Sequence, residues 1–539
     1  MTGRRRALAV ARRLRLNYDF GLACTFSSRV VCLILCLSLV ILAGCQGDAN
    51  RASASKQELI VGAGADVSAT GAFQARLGVY PLNTNVAETL VRLTPDYGVE
   101  PLLATRFEYV GQNTWRFYLR RGIRFHDGQE FNARAVQSSI AQHVKGGFGY
   151  SFLDENSIKI VDDFTVDITP TQPNLPLPQQ LVHPNYSIFA PNTDPSIKPV
   201  GTGPFRWVEY KRNERIIVER NEDYWGEKAR LNRITFRFFP DATTRVLSLL
   251  NNEVDLVIDL PREQVSTIAG RSDFTVERAP VGLLLSFQIN AHGNKPYDLL
   301  SNRMLRRAIG YALNRRELIE KVWGGEGADV QNMTVPAILG PHANLVKGFT
   351  YDAQQAAQLM DAEGWRMDQD GVREKDGRKL RLVMLASTEL DAGTIELMQA
   401  QLRQVGIDVQ WAKLPDVGSY ASRLNSGEFD LNLGLSNQND ANPLFLPALI
   451  YYSKSGRPFA RWYYAGEKFD RVVEQGMQAS DPLEVQRFAA ESIHIAIDEE
   501  AVNVPVAGVL RLYAMKKTVD GFAPHPSQTN QSWAQVNLR

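Results

Sequence analysis

The chain has 539 residues, with 60 basic and 59 acidic side chains, 44% hydrophobic residues and all four cysteines at or before position 45. A chain this long exceeds what one compact core encloses and fits two or three lobes. With a leader of 44 residues set aside, 53 basic and 58 acidic residues remain, a net charge of −5 that lacks the basic footprint of a nucleic-acid binder.

Met1 to Arg29 carries seven arginines and one acid and precedes an apolar run, Val30 to Ala43. That is the order of a secretory signal, and its 14 apolar-run residues fall short of the roughly 20 that span a bilayer. The quartet Leu42-Ala43-Gly44-Cys45 resembles a bacterial lipobox. The resemblance implies cleavage before Cys45 and a diacylglycerol thioether on its sulfur, tethering the mature chain to a bilayer. Residues 1–44 are thus expected to be a lipoprotein signal peptide and 45–57 a flexible tether. Beyond Cys45 there is no cysteine, so neither disulfides nor a cysteine metal site is expected.

Further along, Gly62-Ala-Gly64 and Gly201-Thr-Gly203 each lack the third glycine of a dinucleotide loop and read as turns. Thr114–Leu119 alternates like a strand, and Asp127-Gly128 marks a tight turn with His126 solvated in it. The proline-rich stretch Pro170 to Pro204 cannot be continuous helix or central strand and reads as a long connection between lobes. Strands are expected at Arg215–Arg220 and Ile234–Phe239, then a helix capped by Asp241 that stops at Asn251-Asn252. Leu283–Asn290 is an apolar strand, followed by an amphipathic helix over Asn302–Leu313 with Leu305, Ile309 and Ala312 inward. Asp352 and Gln355 have capping-box spacing, with Gly364 closing that helix; Asp481-Pro482 opens another whose face is Val485, Phe488, Ala489, Ser492, Ile493 and Ala496. Ala501–Val506 is again extended, and with Leu283–Asn290 it suggests a pair of crossings between two lobes.

No constellation for catalysis is visible. G-x-x-x-x-G-K-[ST], G-x-S-x-G and H-E-x-x-H are absent, and the seven histidines show no i, i+3 or i, i+4 pair. No enzyme activity, resident metal or cofactor is therefore expected.

Several stretches together resemble the extracytoplasmic solute-binding proteins of bacterial ABC importers, in the family that handles peptides, nickel chelates and opines. They include Trp115-Arg-Phe-Tyr-Leu-Arg-Arg-Gly-Ile-Arg-Phe-His-Asp-Gly128, Gly201-Thr-Gly-Pro-Phe205, Glu219-Arg-Asn-Glu-Asp-Tyr-Trp-Gly226 and Arg306-Arg-Ala-Ile-Gly-Tyr-Ala-Leu-Asn-Arg315. The resemblance implies a large, two-lobe α/β periplasmic-binding-protein fold of type II. Lobe I would span 58–287 with an inserted subdomain at about 82–198, lobe II 288–503, and 504–539 would return to lobe I. It further implies a monomer outside the cytoplasm, binding a small peptide-like solute and feeding an inner-membrane ABC permease, with an opine or metal chelate as the alternative ligand.

Peptide-binding members carry two aspartates ahead of a proline in a second-lobe loop, the first pairing with the peptide α-ammonium. Counting back from Pro443, those carboxylates fall on Asn439 and Asn442, while Asp440 stands one place along; Asn437 lies in the same loop. Either Asp440 takes that role or the ligand is not an ordinary free-ended peptide. His183, Asn185 and Tyr186 precede Phe189-Ala-Pro191, a stretch that borders the cleft in this family.

Overall fold

Runs of alternating or fully apolar residues order the chain into sheets. The computed structural model describes residues 57–64, 80–145, 153–154, 156–171, 176–195, 197–387, 389–479, 481–527 and 529–539; the leader, Cys45 and the tether as far as residue 56 lie outside them. Among the described residues a seven-stranded sheet runs Phe274–Arg278, Leu512–Lys516, Leu256–Ile258, Glu58–Ala63, Arg233–Phe238, Arg215–Arg220, Phe205–Lys211. A six-stranded sheet runs Gly327–Ala328, Asn503–Val509, Leu283–Ile289, Leu431–Asn437, Arg381–Ala386, Asp408–Trp411. A four-stranded antiparallel sheet runs Ala104–Gly111, Thr114–Leu119, Thr165–Ile168, Ile158–Asp162.

Each sheet has its own core. Leu59, Val61, Phe236 and Trp533 pack together on the first sheet, and Phe287, Leu433 and Trp323 belong to the core of the second. Phe117, Val136, Val166 and Leu181 fill the core of the small one.

The chain passes from the first sheet to the second through residues 279–282 and returns through 510–511. The strands flanking these crossings, Leu283–Ile289 and Asn503–Val509, pair antiparallel with Leu283 opposite Val509. Both belong whole to the second sheet, so the crossings precede the expected 287/288 boundary and follow the expected 503/504 boundary by a few residues. An unbroken apolar strand gives no sign of where a chain changes lobe. At Gly282, within the outgoing crossing, a Cβ would come within 2.1 Å of the Pro526 carbonyl oxygen. At the return, Ala279 N–H donates to the Arg511 carbonyl (2.9 Å), and the Arg511 guanidinium pairs with Asp259 (2.6 Å).

Helix ends follow local chemistry. Asp241, Asp352 and Asp481 accept from the backbone N–H of Thr244, Gln355 and Leu483 respectively. Asn252 (φ 62°) and Gly364 (φ 87°) take the left-handed positions that end two of these helices.

Three expectations are corrected. The proline-rich stretch does not connect lobes. Its short helices, Leu177–Leu181 and Pro184–Tyr186, have Pro in the first turn, where no N–H is needed. Leu177, Leu181, Val182, Tyr186 and Ile188 bury themselves in the small sheet's core, and the segment then leads into the first sheet at Phe205. His126 is not solvated, since its Nε2 bonds the Gly203 carbonyl at 3.0 Å. Desolvation, the largest influence, holds its pKa down at about 4. Gly62 lies inside the strand Glu58–Ala63 and not in a turn.

Gly201 and Gly203 earn their place by close approach. A Cβ would stand 2.0 Å from the Val86 carbonyl oxygen at Gly201 and 2.2 Å from that of Asn85 at Gly203. Gly201→Ala is expected to destabilise the protein by about 3 kcal/mol, the upper part of the range for overpacking. Thermal or urea unfolding reads this directly, and an unchanged midpoint would contradict the close approach.

Candidate functional site

A cavity of about 370 Å³ lies beside the strand Leu431–Asn437, walled by His183 from the segment packed on the small sheet and otherwise by the second lobe. That volume suits a small-molecule ligand. Strand periodicity builds its floor. Successive side chains point to opposite faces, so Leu431 and Leu433 enter the core while Asn432, Gly434 and Ser436 face the cavity. On the neighbouring strand Gln288 stands opposite Asn432. Tyr420, Phe445 and Phe459 add ring surface.

Of the residues singled out from sequence, His183, Asn437 and Asn439 line this cavity. Asp440, Asn442, Asn185 and Tyr186 are not among the lining residues, and each has a local task. Asp440 Oδ1 accepts from Gln438 Nε2 (3.1 Å) and from the Asn442 N–H (3.0 Å). Asn442 Oδ1 accepts from the Leu444 N–H (3.0 Å), just ahead of the helix Phe445–Ile450. The Asn185 N–H donates to His183 Nδ1 (3.2 Å). Tyr186 is buried in the small sheet's core.

These bonds set the electrostatics. With Nδ1 accepting, the neutral His183 ring carries its proton on Nε2. Desolvation, helped by nearby His143, lowers its pKa to about 4, so the ring is uncharged at neutral pH. Asp440 is 1% exposed. Desolvation outweighs its two hydrogen bonds and pushes its carboxyl up to about 7. Its charge in turn helps raise the Tyr97 and Tyr186 hydroxyls above the usual phenol value, after desolvation.

The loop itself is pinned from several sides. The Gln438 N–H donates to the Gly282 carbonyl (3.0 Å), and the Ala441 N–H to that of Gln179 (3.3 Å). Thr334 Oγ donates to Gln438 Oε1 (2.7 Å), and Ser527 Oγ to Asn439 Oδ1 (3.3 Å). Sequence reasoning missed Gln288, Asn432, Gly434, Ser436 and Tyr420. The alternation Leu-Asn-Leu-Gly-Leu-Ser over 431–436 is the signal that could have found three of them.

Among the described residues no group of three or more His, Cys, Asp or Glu is gathered as for a metal ion. Nor is any described helix long and apolar enough to cross a membrane.

The family model of bacterial extracellular solute-binding proteins, family 5 (middle), matches residues 98–457, and the chain belongs to this family. It is 26% identical over 474 residues to the nickel-binding periplasmic protein of Escherichia coli K12, covering 84% of this chain and 89% of that protein. Its fold is similar to that of NikA from Brucella suis in complex with Fe(III)-EDTA, with a TM-score of 0.76 at 23% identity, over 89% of this chain and 100% of that one. It is also similar to the ABC transporter-associated periplasmic binding protein DppA from Helicobacter pylori in complex with peptide STSA. There the TM-score is 0.72 at 24% identity, over 89% of this chain and 98% of that one. The architecture is the two-lobed α/β fold of the periplasmic binding proteins.

The raised Asp440 pKa has a definite sign. The folded state holds this proton more tightly than the unfolded chain, so the contribution is present below about pH 4 and lost as pH rises towards 7. Asp440→Asn keeps an acceptor for both donors and removes the titration. It should be more stable than the parent at pH 8, by up to a few kcal/mol, with the advantage shrinking at pH 5. Parallel melting curves of the two proteins across this range would refute the assignment.

Proposed function

We propose that the protein is the receptor of an ABC importer. It captures a small peptide-like solute between its lobes and delivers it to an inner-membrane permease, with no chemistry of its own. The observation that carries this reading is the cavity of about 370 Å³ with His183 on one side and Gln288, Asn437 and Asn439 on the other. Lobes joined by two strand crossings can close on a solute by hinge motion, and closure strips water so that each unmatched polar group becomes costly. In this reading His183, Asn437 and Asn439 touch the ligand. Asp440, Asn442, Asn185 and Tyr186 hold the wall from behind. Family membership supports the receptor role, and the sequence of the leader supports a lipid on Cys45 that keeps a monomeric receptor at the membrane, outside the cytoplasm.

The nickel-binding relative favours a second cargo, a metal chelate, with an opine as the other member of that alternative. His183 is not suited to bind the metal directly. Its Nδ1 already accepts from the Asn185 N–H, which leaves Nε2 protonated. A metal would therefore arrive inside its chelator and be read through it.

Thermal shift with panels of peptides, opines and metal chelates tests the receptor. A ligand at 100 times its Kd should stabilise the protein by about 2.7 kcal/mol. Gly434→Leu should abolish that shift, because even a Cβ at this position stands 3.1 Å from Asn432 Nδ2 and 3.3 Å from Gln288 Nε2. Failure of all three panels would overturn the receptor reading. For the anchor, Cys45→Ser should move the protein from the membrane fraction to the soluble one, and a retained membrane association would exclude the lipid at that sulfur.

A further inference from the structure

Most polar side chains of the cavity wall are amides, with the Ser436 and Tyr420 hydroxyls and the His183 ring beside them, and the hydrogen bonds behind them orient several of these groups. Asn439 Oδ1 accepts from Ser527 Oγ (3.3 Å), leaving its Nδ2 for a ligand. Tyr420 OH donates to Asn432 Oδ1 (2.8 Å), and Asn432 Nδ2 donates to Gln288 Oε1 (2.9 Å). This relay engages both amide oxygens, each through one lone pair, and leaves N–H groups on Gln288 and Asn432. His183 Nδ1 is taken by the Asn185 N–H, which leaves Nε2–H. Four oriented side chains thus present N–H donors.

Asn437 differs from these. Its Oδ1 is buried without a hydrogen-bond partner among the described residues. No described residue that lines the cavity bears a formal charge at neutral pH. The nearby acid, Asp440, is 1% exposed and its Oδ1 already serves Gln438 and Asn442 within its own loop.

We propose that the solute held in this cavity is rich in hydrogen-bond acceptors and carries no free α-ammonium: an N-blocked or cyclic peptide-like compound, read by its carbonyl groups. The inference rests on the receptor reading above and names its substrate class. An ammonium is donor-only. Brought against four N–H groups in a closed, dehydrated cleft it finds no countercharge, and burying an unpaired charge is strongly unfavourable. Carbonyl oxygens match the oriented donors. A site built of oriented hydrogen-bonding groups discriminates steeply against a ligand of the wrong polarity, because its own buried groups are then left unpaired.

The test is isothermal titration calorimetry of the full protein at pH 7 with tri- and tetra-alanine, the same peptides N-acetylated, and cyclo-tetra-alanine. The blocked and cyclic probes are expected to bind at least about 10-fold more tightly than the free-ended ones. Asn439→Asp, which replaces a fixed donor by a carboxylate, should move the preference at least about 10-fold back towards the free-ended peptides, a change of ratio that mere loosening of the wall would not produce. Free-ended peptides binding as tightly as blocked ones would overturn the inference and leave the receptor reading standing. No binding by any probe would also overturn it. Native mass spectrometry of the protein as purified then decides the receptor reading separately, by the presence or absence of a co-purified solute.

Discussion

The antiparallel register between Leu283–Ile289 and Leu431–Asn437 is the constraint on which both the fold and the cavity depend. It sets Gln288 opposite Asn432 and Ser286 opposite Gly434, placing two amides side by side on the cavity floor with an open position next to them. A slip of one residue would turn Leu431 and Leu433 into the cavity and the amides into the core. The other edge of Leu283–Ile289 pairs with Asn503–Val509, with a register shift between Leu285 and Ser286 where Pro505, which has no N–H, stands opposite Ser286. One strand therefore carries an outgoing crossing, the partner of the return crossing and half of the cavity floor. Movement about these crossings would reach the cavity wall without any intervening element.

The loop from Gln438 to Pro443 extends that strand into the contact between lobes. Ala441 packs in the small sheet's core together with Val335 and Ile338, and Tyr97 OH reaches the Gln438 carbonyl (3.4 Å). Asp440 sits inside this contact with two hydrogen bonds and no cation beside it, so the less costly state near neutrality is the one in which it shares or keeps a proton. A carboxyl placed there organises its own loop first. The Asn442 N–H and the Gln438 amide, which it holds, in turn fix where Asn439 and Asn437 fall.

Much of the scaffold was legible in the sequence because its causes are local. Asp241, Asp352 and Asp481 cap helices through a backbone N–H two or three residues on, and a reader needs only that spacing. The strand Thr114–Leu119 and the turn after it were equally plain. The proline-rich segment misled because prolines forbid long elements without saying that short ones exist, and its burial is decided by the small sheet alone. His126 misled because its partner, the Gly203 carbonyl, lies 77 residues away. Of the site, the loop could be found by counting from Pro443 and the segment around His183 by its surroundings. Which of their side chains reach the cavity is set by Ser527, Tyr420 and the strand register, and none of these is near them in the chain.

A wall of amides and one neutral imidazole differs physically from a wall of acids. Amides lose less on dehydration than carboxylates, so the cavity can be covered by a closing lobe without a countercharge already in place. The selectivity must then come from orientation, since an unfixed amide offers oxygen or nitrogen equally well by rotating about its last bond. That is what the second layer supplies: Ser527 holds Asn439, Tyr420 holds Asn432, Asn432 holds Gln288, and a backbone N–H holds the His183 ring. Asn437 Oδ1 has no such partner among the described residues. On the proposed reading Asn437 is the position at which the wall can adapt, while the four held groups decide what polarity of solute is admitted.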